Sequence, residues 1–526
     1  MTNRLALVAL LLTAGVALGL YHGVSPLAIT NDSVQYLDAA VNLRSGHGLS
    51  TNVAHFDEQV DYGRFPVPFT HFAPGYPLVI ALVSYTGIPP ETAAGAIGAL
   101  GFLVCIWLMW DIGTQLDAPW QVLIPFCMLW ITHTSALRFA NTVGTETLFT
   151  AALLAMLAAM VRDLRSAGSR PVLLLAIGAA PAAAYWVRYA GVFIVPVALL
   201  YALWRAWQTR AARPWAAGAA ALTAAGAAAL ALRNTLYTGS WQGGFALARS
   251  RPIREMIAGT LRASYHVVFG DRVAARLDGW TVLAAVSLVP IVYWALRGWK
   301  SLPRSQARCF ASAAIWTGLL IGAYIAGIML AALRSIASDY PRYYFPLYAL
   351  VLVAAPSFSL VRDPRQYIAS GLLAVAIAVS QGRSLLVRVP QPGAQLRAAL
   401  AAEVSPGVSA AQWLRDHTRV NDPMVAVDGQ MLHYFVQRPV VSIIEPVYSN
   451  RRTDSASFHA LMHAYGARYL VVRPGAAPGE APEQEAIPFL RDLAAGRAPS
   501  WLTLAVRGAN IAVFDCPACA ASSRDR

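Results

Sequence analysis

Two acidic residues stand where a membrane surface would give them chemistry. Asp32 lies in Ile29-Thr30-Asn31-Asp32-Ser33-Val34-Gln35-Tyr36, directly after the first apolar run. Glu146 lies in Asn141-Thr142-Val143-Gly144-Thr145-Glu146-Thr147, at the mouth of a later run. A carboxylate at such a surface can accept the proton of an attacking hydroxyl. Asn31 or Asp32 also has the type and position of a helix N-cap, so Asp32 has a purely structural reading beside the chemical one. An unpaired acid at membrane depth costs on the order of 2.5–3.5 kcal/mol, which a cation, a metal or a shared proton would offset. For Glu146, Arg138 about two helical turns earlier is a structural partner of that kind. Arg188, alone between two apolar runs, and Arg342 in Asp339-Tyr340-Pro341-Arg342-Tyr343-Tyr344 belong to the same face. That last cluster reads either as part of a site or as an interfacial aromatic belt holding a paired Asp and Arg. Acids suit activation of a nucleophile, and arginines suit a phosphate that departs as an anion. Together they have the pattern of phosphoryl-linked group transfer at a membrane surface.

The elements that position these groups follow from composition. Of 526 residues, 57% are apolar and 13% charged, with a mean hydropathy of +0.49; ordinary soluble domains carry roughly 25% charged residues. A soluble, disordered or fibrous chain is excluded, and a polytopic α-helical membrane protein is implied. The net charge of +14 is scattered between apolar runs, which points to membrane orientation and away from nucleic acid. About eleven transmembrane helices are expected: 5–20, 92–110, 120–134, 143–161, 172–187, 190–205, 215–232, 280–296, 310–333, 343–360 and 366–381. If they alternate, Arg4, Arg162/Arg165/Arg170, Arg205/Arg210/Arg213, Arg297/Lys300/Arg304/Arg308 and Arg362/Arg365 all fall on one side, the cytoplasm. The N-terminus is then cytoplasmic, and the loops 21–91 and 233–279 and everything after about 382 lie outside. The loop 233–279 carries Arg233, Arg249, Arg251, Arg254, Arg262, Arg272 and Arg276 where arginine is disfavoured. It either meets anionic lipid or phosphate, or is too long for the charge rule to bind. Tyr76–Tyr85 is too short to span and either lies along the interface or dips into the membrane.

Two domains are thus expected, a membrane domain over 1–381 and an outer α/β domain over 382–526. In the second, Ala410–His417 and Phe458–Tyr465 read as helices, the latter stopped by Gly466. Met424–Asp428, Arg468–Val472 and Ile511–Phe514 read as strands, and 474–485 as a flexible loop. Cys105, Cys127 and Cys309 sit in apolar runs as packed thiols. Cys516 and Cys519 leave three readings open: a disulfide, half a metal site, or an inert tail.

With these motifs in view, the chain resembles the GT-C superfamily of membrane glycosyltransferases that use polyprenyl-phosphate-linked sugars. The likeness is to the RgtA/B/C/D-like set, relatives of the protein O-mannosyltransferases and the lipid A aminoarabinose transferase. It is carried by the segment around Asp32, by His71-Phe72-Ala73-Pro74-Gly75-Tyr76-Pro77-Leu78, by Thr145-Glu146-Thr147-Leu148-Phe149 and by Val187-Arg188-Tyr189-Ala190-Gly191. Arg233-Asn234, Arg342-Tyr343, Trp413-Leu414 and Ala467-Arg468-Tyr469-Leu470-Val471-Val472 extend it. The resemblance implies a GT-C fold and an inverting transfer of a sugar from polyprenyl phosphate to a hydroxyl of a cell-envelope glycan, glycolipid or protein. The reaction would take place at the outer face of the bacterial inner membrane. Asp32 matches the family's catalytic acid and Glu146 a second acidic position. Arg188, Arg342, Arg233, Arg251 and Arg254 are the candidates for the donor phosphate. Tyr36, His71, Tyr76, Asp339 and Tyr343 would line the substrate cavity. No metal or other cofactor is demanded; a divalent cation held by Asp32, Asp57, Asp61 and Glu146 is the option that oligosaccharyl-transfer relatives suggest. The competing classes are a lipid-linked oligosaccharide flippase, which internal repeats and broken midplane helices would mark, and an O-antigen ligase or polymerase, which a large late outer loop would mark.

Overall fold

The computed structural model describes residues 2–56, 62–166, 170–244, 252–269, 304–332, 341–358, 393–443, 452–476 and 481–521. They form two compact units. The first comprises Met1–Leu27, Thr92–Leu230 and Arg251–Val389, and the second Ala28–Glu91, Ala231–Ser250 and Pro390–Arg526.

The described elements of the first unit are helices. Six described helices are long and apolar enough to cross a membrane: Asn3–Val24, Pro90–Gln115, Glu146–Arg165, Tyr189–Gln208, Arg210–Thr238 and Ala311–Ala332. Trp120–Thr132 with Thr134–Ala140 makes a seventh candidate, bent by 61° at the break. Pro171–Val187 is apolar but only 17 residues long. Pro341–Phe358 is helical as expected, and the spans expected at 280–296 and 366–381 lie outside the described residues. Six or seven spans are therefore the count among the described residues, against the eleven read from hydropathy.

Small residues let these helices approach closely, as lipid-embedded helices must where no hydrophobic drive separates them from lipid. A Cβ on Gly178 would stand 2.4 Å from the Ala219 carbonyl oxygen, and one on Gly98 2.6 Å from that of Ala140. The second contact seats Pro90–Gln115 against the turn that leads into Glu146. At the other end of Glu146–Arg165, Asp163 is fully buried. It is held by Arg205 Nε at 2.7 Å and by the Tyr201 hydroxyl at 2.7 Å. Arg205, expected as a loop charge, thus closes a buried ion pair between Glu146–Arg165 and Val195–Gln208.

The second unit is built on a six-stranded sheet in the order Val53–His55, Val440–Ser442, Met424–Ala426, Tyr469–Val472, Ala512–Asp515, Thr503–Arg507. The first four strands are parallel, with Val53 opposite Val440 and Met424 opposite both Val440 and Tyr469. The last two are antiparallel. Side chains alternate between the faces, as the strand period of two requires. Val53, Met424, Ala426, Tyr469 and Val471 pack with Val34, Leu414 and Leu432 on one face. Ala54, Val425, Leu470 and Val472 pack with Phe458, Met462 and Leu490 on the other. The helices expected at Ala410–His417 and before Gly466 are present, the latter as Ser455–Tyr465 with Gly466 left-handed at its end. Within 474–485, expected as a loop, Pro482–Ala486 is helical.

One buried carboxylate ties the segment after the first helix to this sheet. Asp38, on helix Asn31–Arg44, accepts from the Thr51 hydroxyl at 2.7 Å, the Asn52 backbone N–H at 2.5 Å and the Asn52 side-chain amide at 3.1 Å. His433 Nε2 stands 3.3 Å from it, and His433 Nδ1 faces the Arg438 carbonyl at 2.7 Å. Burial alone would raise the Asp38 pKa, but the hydrogen bond and charge of His433, with the Asn52 and Thr51 donors, hold it below its ordinary value. Burial likewise works against a charged His433, and Asp38 outweighs it, so the imidazole pKa is raised. The Asp38 contribution is present above about 3.8 and lost as pH falls through its lowered folded value; that of His433 is present below about 6.5 and lost as pH rises through its raised folded value. We predict that the melting temperature of the full chain falls as pH rises from about 6.5 through that value, and that Asp38→Asn flattens this slope. Removing one partner of a buried pair costs on the order of 3–5 kcal/mol, so Asp38→Ala should lower the melting temperature at pH 6; an unchanged value would refute the role given to the pair.

Candidate catalytic site

The helix that carries Asp32 starts with a capping box. The Thr30 hydroxyl accepts from the Ser33 N–H at 3.2 Å, and the Ser33 hydroxyl accepts from the Thr30 N–H at 2.8 Å. Thr30 is therefore the cap, and the capping role open to Asn31 or Asp32 is taken. Asp32 sits in the first turn, half-buried, where the positive end of the helix dipole favours an acid. One and two turns on come Gln35 and Asp38.

Around Asp32 the second unit assembles an aromatic and imidazole cluster. Tyr36 meets Tyr76 edge to face at 5.2 Å and Phe72 at 5.2 Å. His71 stacks on His55 with ring centres 3.7 Å apart and planes 4° from parallel. His55 Nε2 in turn lies 2.5 Å from Gln35 Nε2. Burial pushes the His71 pKa down to about 4, opposed by the Asp32 charge. Burial, helped by His71, pushes that of His55 down as well. Both imidazoles are neutral near pH 7, so His71 carries no counter-charge for a phosphate. His55 was not singled out in the sequence; Val53-Ala54-His55 carries no motif, and its strand is completed by residues from the far end of the chain.

Arg233, expected at the phosphate, is used in part to hold the loop. Its guanidinium donates to the Phe69 carbonyl at 2.8 Å and lies over the Tyr237 ring at 5.4 Å. The Gly244 N–H donates to the neighbouring Thr70 carbonyl. Together they fix the backbone that presents His71.

The first unit holds the second acid. Glu146 opens its helix and is 6% exposed. Arg188 Nη1 donates to Glu146 Oε1 at 2.8 Å and to the Thr145 hydroxyl at 3.2 Å. The partner of Glu146 is thus Arg188, while Arg138 lies over the Phe139 ring at 5.3 Å. Arg188 also lies 4.7 Å from the centre of the Tyr343 ring, and Arg342 lies 5.4 Å from it. The Tyr324 hydroxyl donates to the Tyr343 carbonyl at 2.9 Å. Among the described residues, one carboxylate thus lies with two guanidiniums and two phenols. A carboxylate clamped by a guanidinium fixes the orientation of its partner.

Local geometry explains why these side chains meet. Arg188 is extended, at φ −153°, between Pro171–Val187 and the short 3₁₀ turn Tyr189–Ile194. That turn folds back only because Gly191 has no Cβ, which would stand 2.3 Å from the Tyr185 nitrogen. A Cβ on Gly144 would stand 2.5 Å from Glu146 Oε2. Asn141, just before, accepts through Oδ1 from His22 Nδ1–H at 2.7 Å and donates through its amide N–H to the Ser25 carbonyl, pinning the turn to the end of the first helix.

Of the remaining candidates, Arg254 is exposed on helix Ile253–Phe269. Arg251 and Asp339 lie outside the described residues, as do Asp57 and Asp61 of the suggested cation site. Among the described residues, the group of three that could hold a metal is His459, Cys516 and Cys519, with ligand atoms within 4.8 Å of one another.

The fold that carries these residues, long apolar helices together with an α/β unit on a six-stranded sheet, is shared with solved structures of other proteins. The chain is similar to ArnT from Cupriavidus metallidurans, crystallised with undecaprenyl phosphate. The TM-score is 0.58 at 13% identity, over 96% of this chain and 97% of that one. It is also similar to the arabinofuranosyltransferase AftD from Mycobacteria, at a TM-score of 0.53 and 15% identity, over 96% of this chain and 40% of AftD. No family model matches the sequence, and no curated protein matches it.

Arg188→Leu should lower the melting temperature, by an amount corresponding to about 3–5 kcal/mol, because it strands Glu146. Arg188→Leu with Glu146→Gln should recover part of that loss. Equal melting temperatures for the single and double variants would show that the pair is not coupled. Gly144→Ala should lower the melting temperature by less than Arg188→Leu, because its Cβ meets the movable end of the Glu146 side chain.

Proposed function

We propose that this chain is an inverting glycosyltransferase of the GT-C class, allied with the RgtA/B/C/D-like set. It moves a sugar from polyprenyl phosphate onto a hydroxyl of a cell-envelope glycan, glycolipid or protein. The observation that carries the proposal is the place of Asp32 in the first turn of helix Asn31–Arg44, in the loop that follows the first span, one turn from Tyr36 and near enough to His71 for its charge to act on that imidazole. The fold shared with ArnT, whose crystal holds undecaprenyl phosphate, supports the choice of donor.

In this reading the acceptor hydroxyl gives its proton to Asp32 as its oxygen attacks the anomeric carbon. The bond from that carbon to the phosphate oxygen breaks from the opposite face, and the electron pair leaves with polyprenyl phosphate. Arg188 and Arg342 stabilise the phosphate charge, and Glu146 fixes the guanidinium of Arg188. A guanidinium planted in a poorly hydrated site stabilises developing charge more than it would in water. Neutral His71 and the phenols of Tyr36 and Tyr76 orient the sugar hydroxyls. Arg233 holds the His71 loop, and Arg254 meets anionic lipid headgroups. The protein is a multi-pass protein of the bacterial inner membrane with its N-terminus in the cytoplasm. No step needs a metal.

The test uses purified full-length protein in nanodiscs, wild type beside Asp32→Asn. Each is given a panel of polyprenyl-phosphate sugars and a membrane extract as acceptor, and release of polyprenyl phosphate is followed. Wild type should release it, and Asp32→Asn should be slower by about 10²–10⁴-fold with donor binding intact. Equal release by both would move the base elsewhere. Donor binding without release by either would favour a flippase.

A further inference from the structure

The transfer reaction leaves one chemically capable corner of the second unit unused. The last strand, Ala512–Asp515, runs into Cys516-Pro517-Ala518-Cys519, and the two cysteines form a disulfide. Both are fully buried. The turn is fixed to the sheet by the Cys516 N–H, which donates to the Arg468 carbonyl at 2.8 Å. Facing it is helix Ser455–Tyr465, anchored by the Asp454 cap and by Phe458 and Met462 in the same core as the cysteines. This helix brings His459 within 4.8 Å of both sulfurs. The His459 ring is oriented by Trp501, whose ring centre is 4.5 Å away and whose indole N–H donates to the Ser455 hydroxyl at 3.0 Å. His463 follows one turn later on the same helix, with ring centres 6.3 Å apart.

The geometry points to a redox-gated zinc site made by Cys516, Cys519 and His459. Two sulfurs and an imidazole are a ligand set that selects zinc over magnesium or calcium. A C-x-x-C turn opposed by a helix bearing histidines four apart is a spacing that supplies such ligands. Two thiolates on a tetrahedral zinc stand about 3.8 Å apart. Side-chain rotation reaches that separation across Cα atoms 5.4 Å apart. A held imidazole, its ring set by Trp501, is what an orienting outer shell provides. The disulfide and the metal exclude each other. Reduction by an external dithiol delivers two electrons and two protons, splits the S–S bond into two thiols, and leaves the dithiol oxidised. Zinc then displaces both thiol protons to solvent and takes two thiolates and the neutral imidazole of His459, with water completing the shell.

The test uses full-length protein in detergent, reduced with a water-soluble phosphine, freed of reductant without air, and titrated with Co²⁺. Reduced wild type should bind one equivalent with a thiolate-to-cobalt charge-transfer band that Zn²⁺ abolishes, and oxidised protein should show no band. His459→Ala should weaken binding by at least about tenfold, and Cys519→Ser should remove the band. No band from reduced wild type, or His459→Ala binding as tightly as wild type, would overturn the assignment. A second measurement needs no variant. Zn²⁺ should slow maleimide labelling of Cys516 and Cys519 in the reduced protein, read by peptide mass. Unchanged labelling rates would equally refute it.

Discussion

The carboxylate of Asp38 is the constraint on which the second unit turns. It is buried and charged, so it needs every donor it has: Thr51, Asn52 twice, and His433. Satisfying it fixes three pieces of chain at once. Helix Asn31–Arg44 carries Asp32 at its first turn, so a bond at Asp38 sets the position of Asp32 two turns away. Asn52 immediately precedes Val53–His55, so the same bond sets the strand and brings His55 to Gln35. His433 belongs to Gly429–Val436, which joins the helix layer over the sheet. The candidate base is thus placed by a buried group two turns further along the same helix.

The first unit solves a related problem twice on one helix. Glu146–Arg165 has an acid near each end, and each is matched by an arginine from another segment: Glu146 by Arg188, Asp163 by Arg205. Neither acid would be tolerated alone in an apolar surrounding. The two pairs have different company, however. Tyr201 completes the Asp163 pair. The Glu146 pair, among the described residues, is surrounded by Tyr343, Arg342 and Tyr324.

Much of this was legible in the sequence, because apolar runs and sheet alternation are local signals. The helices around 92–110, 143–161 and 410–417 and the strands at 424, 469 and 512 fall where pattern puts them. What was missed depends on pairing across distance. Val53-Ala54-His55 is too short to show alternation and becomes a strand only against Val440–Ser442. Glu146 was offered Arg138 as a local partner, and the fold chose Arg188 by way of a glycine turn that no charge pattern reveals. The capping role of Thr30 was hidden because Asn31 and Asp32 are equally good cap types, and only the reciprocal Ser33 bond decides among them.

The strand Val53–His55 has a consequence for how the molecule is made. It forms one edge of the sheet, yet it is synthesised before nearly all of the membrane helices, while its neighbour Val440–Ser442 comes after them. The early strand must therefore wait, with its backbone unpaired, until the last part of the chain has been delivered to the same side. A C-terminal piece produced by itself would bare the edge of Val440–Ser442 and be prone to stick to other strands. The sheet is a seal that closes only on a chain whose membrane passes have all come out on the correct side.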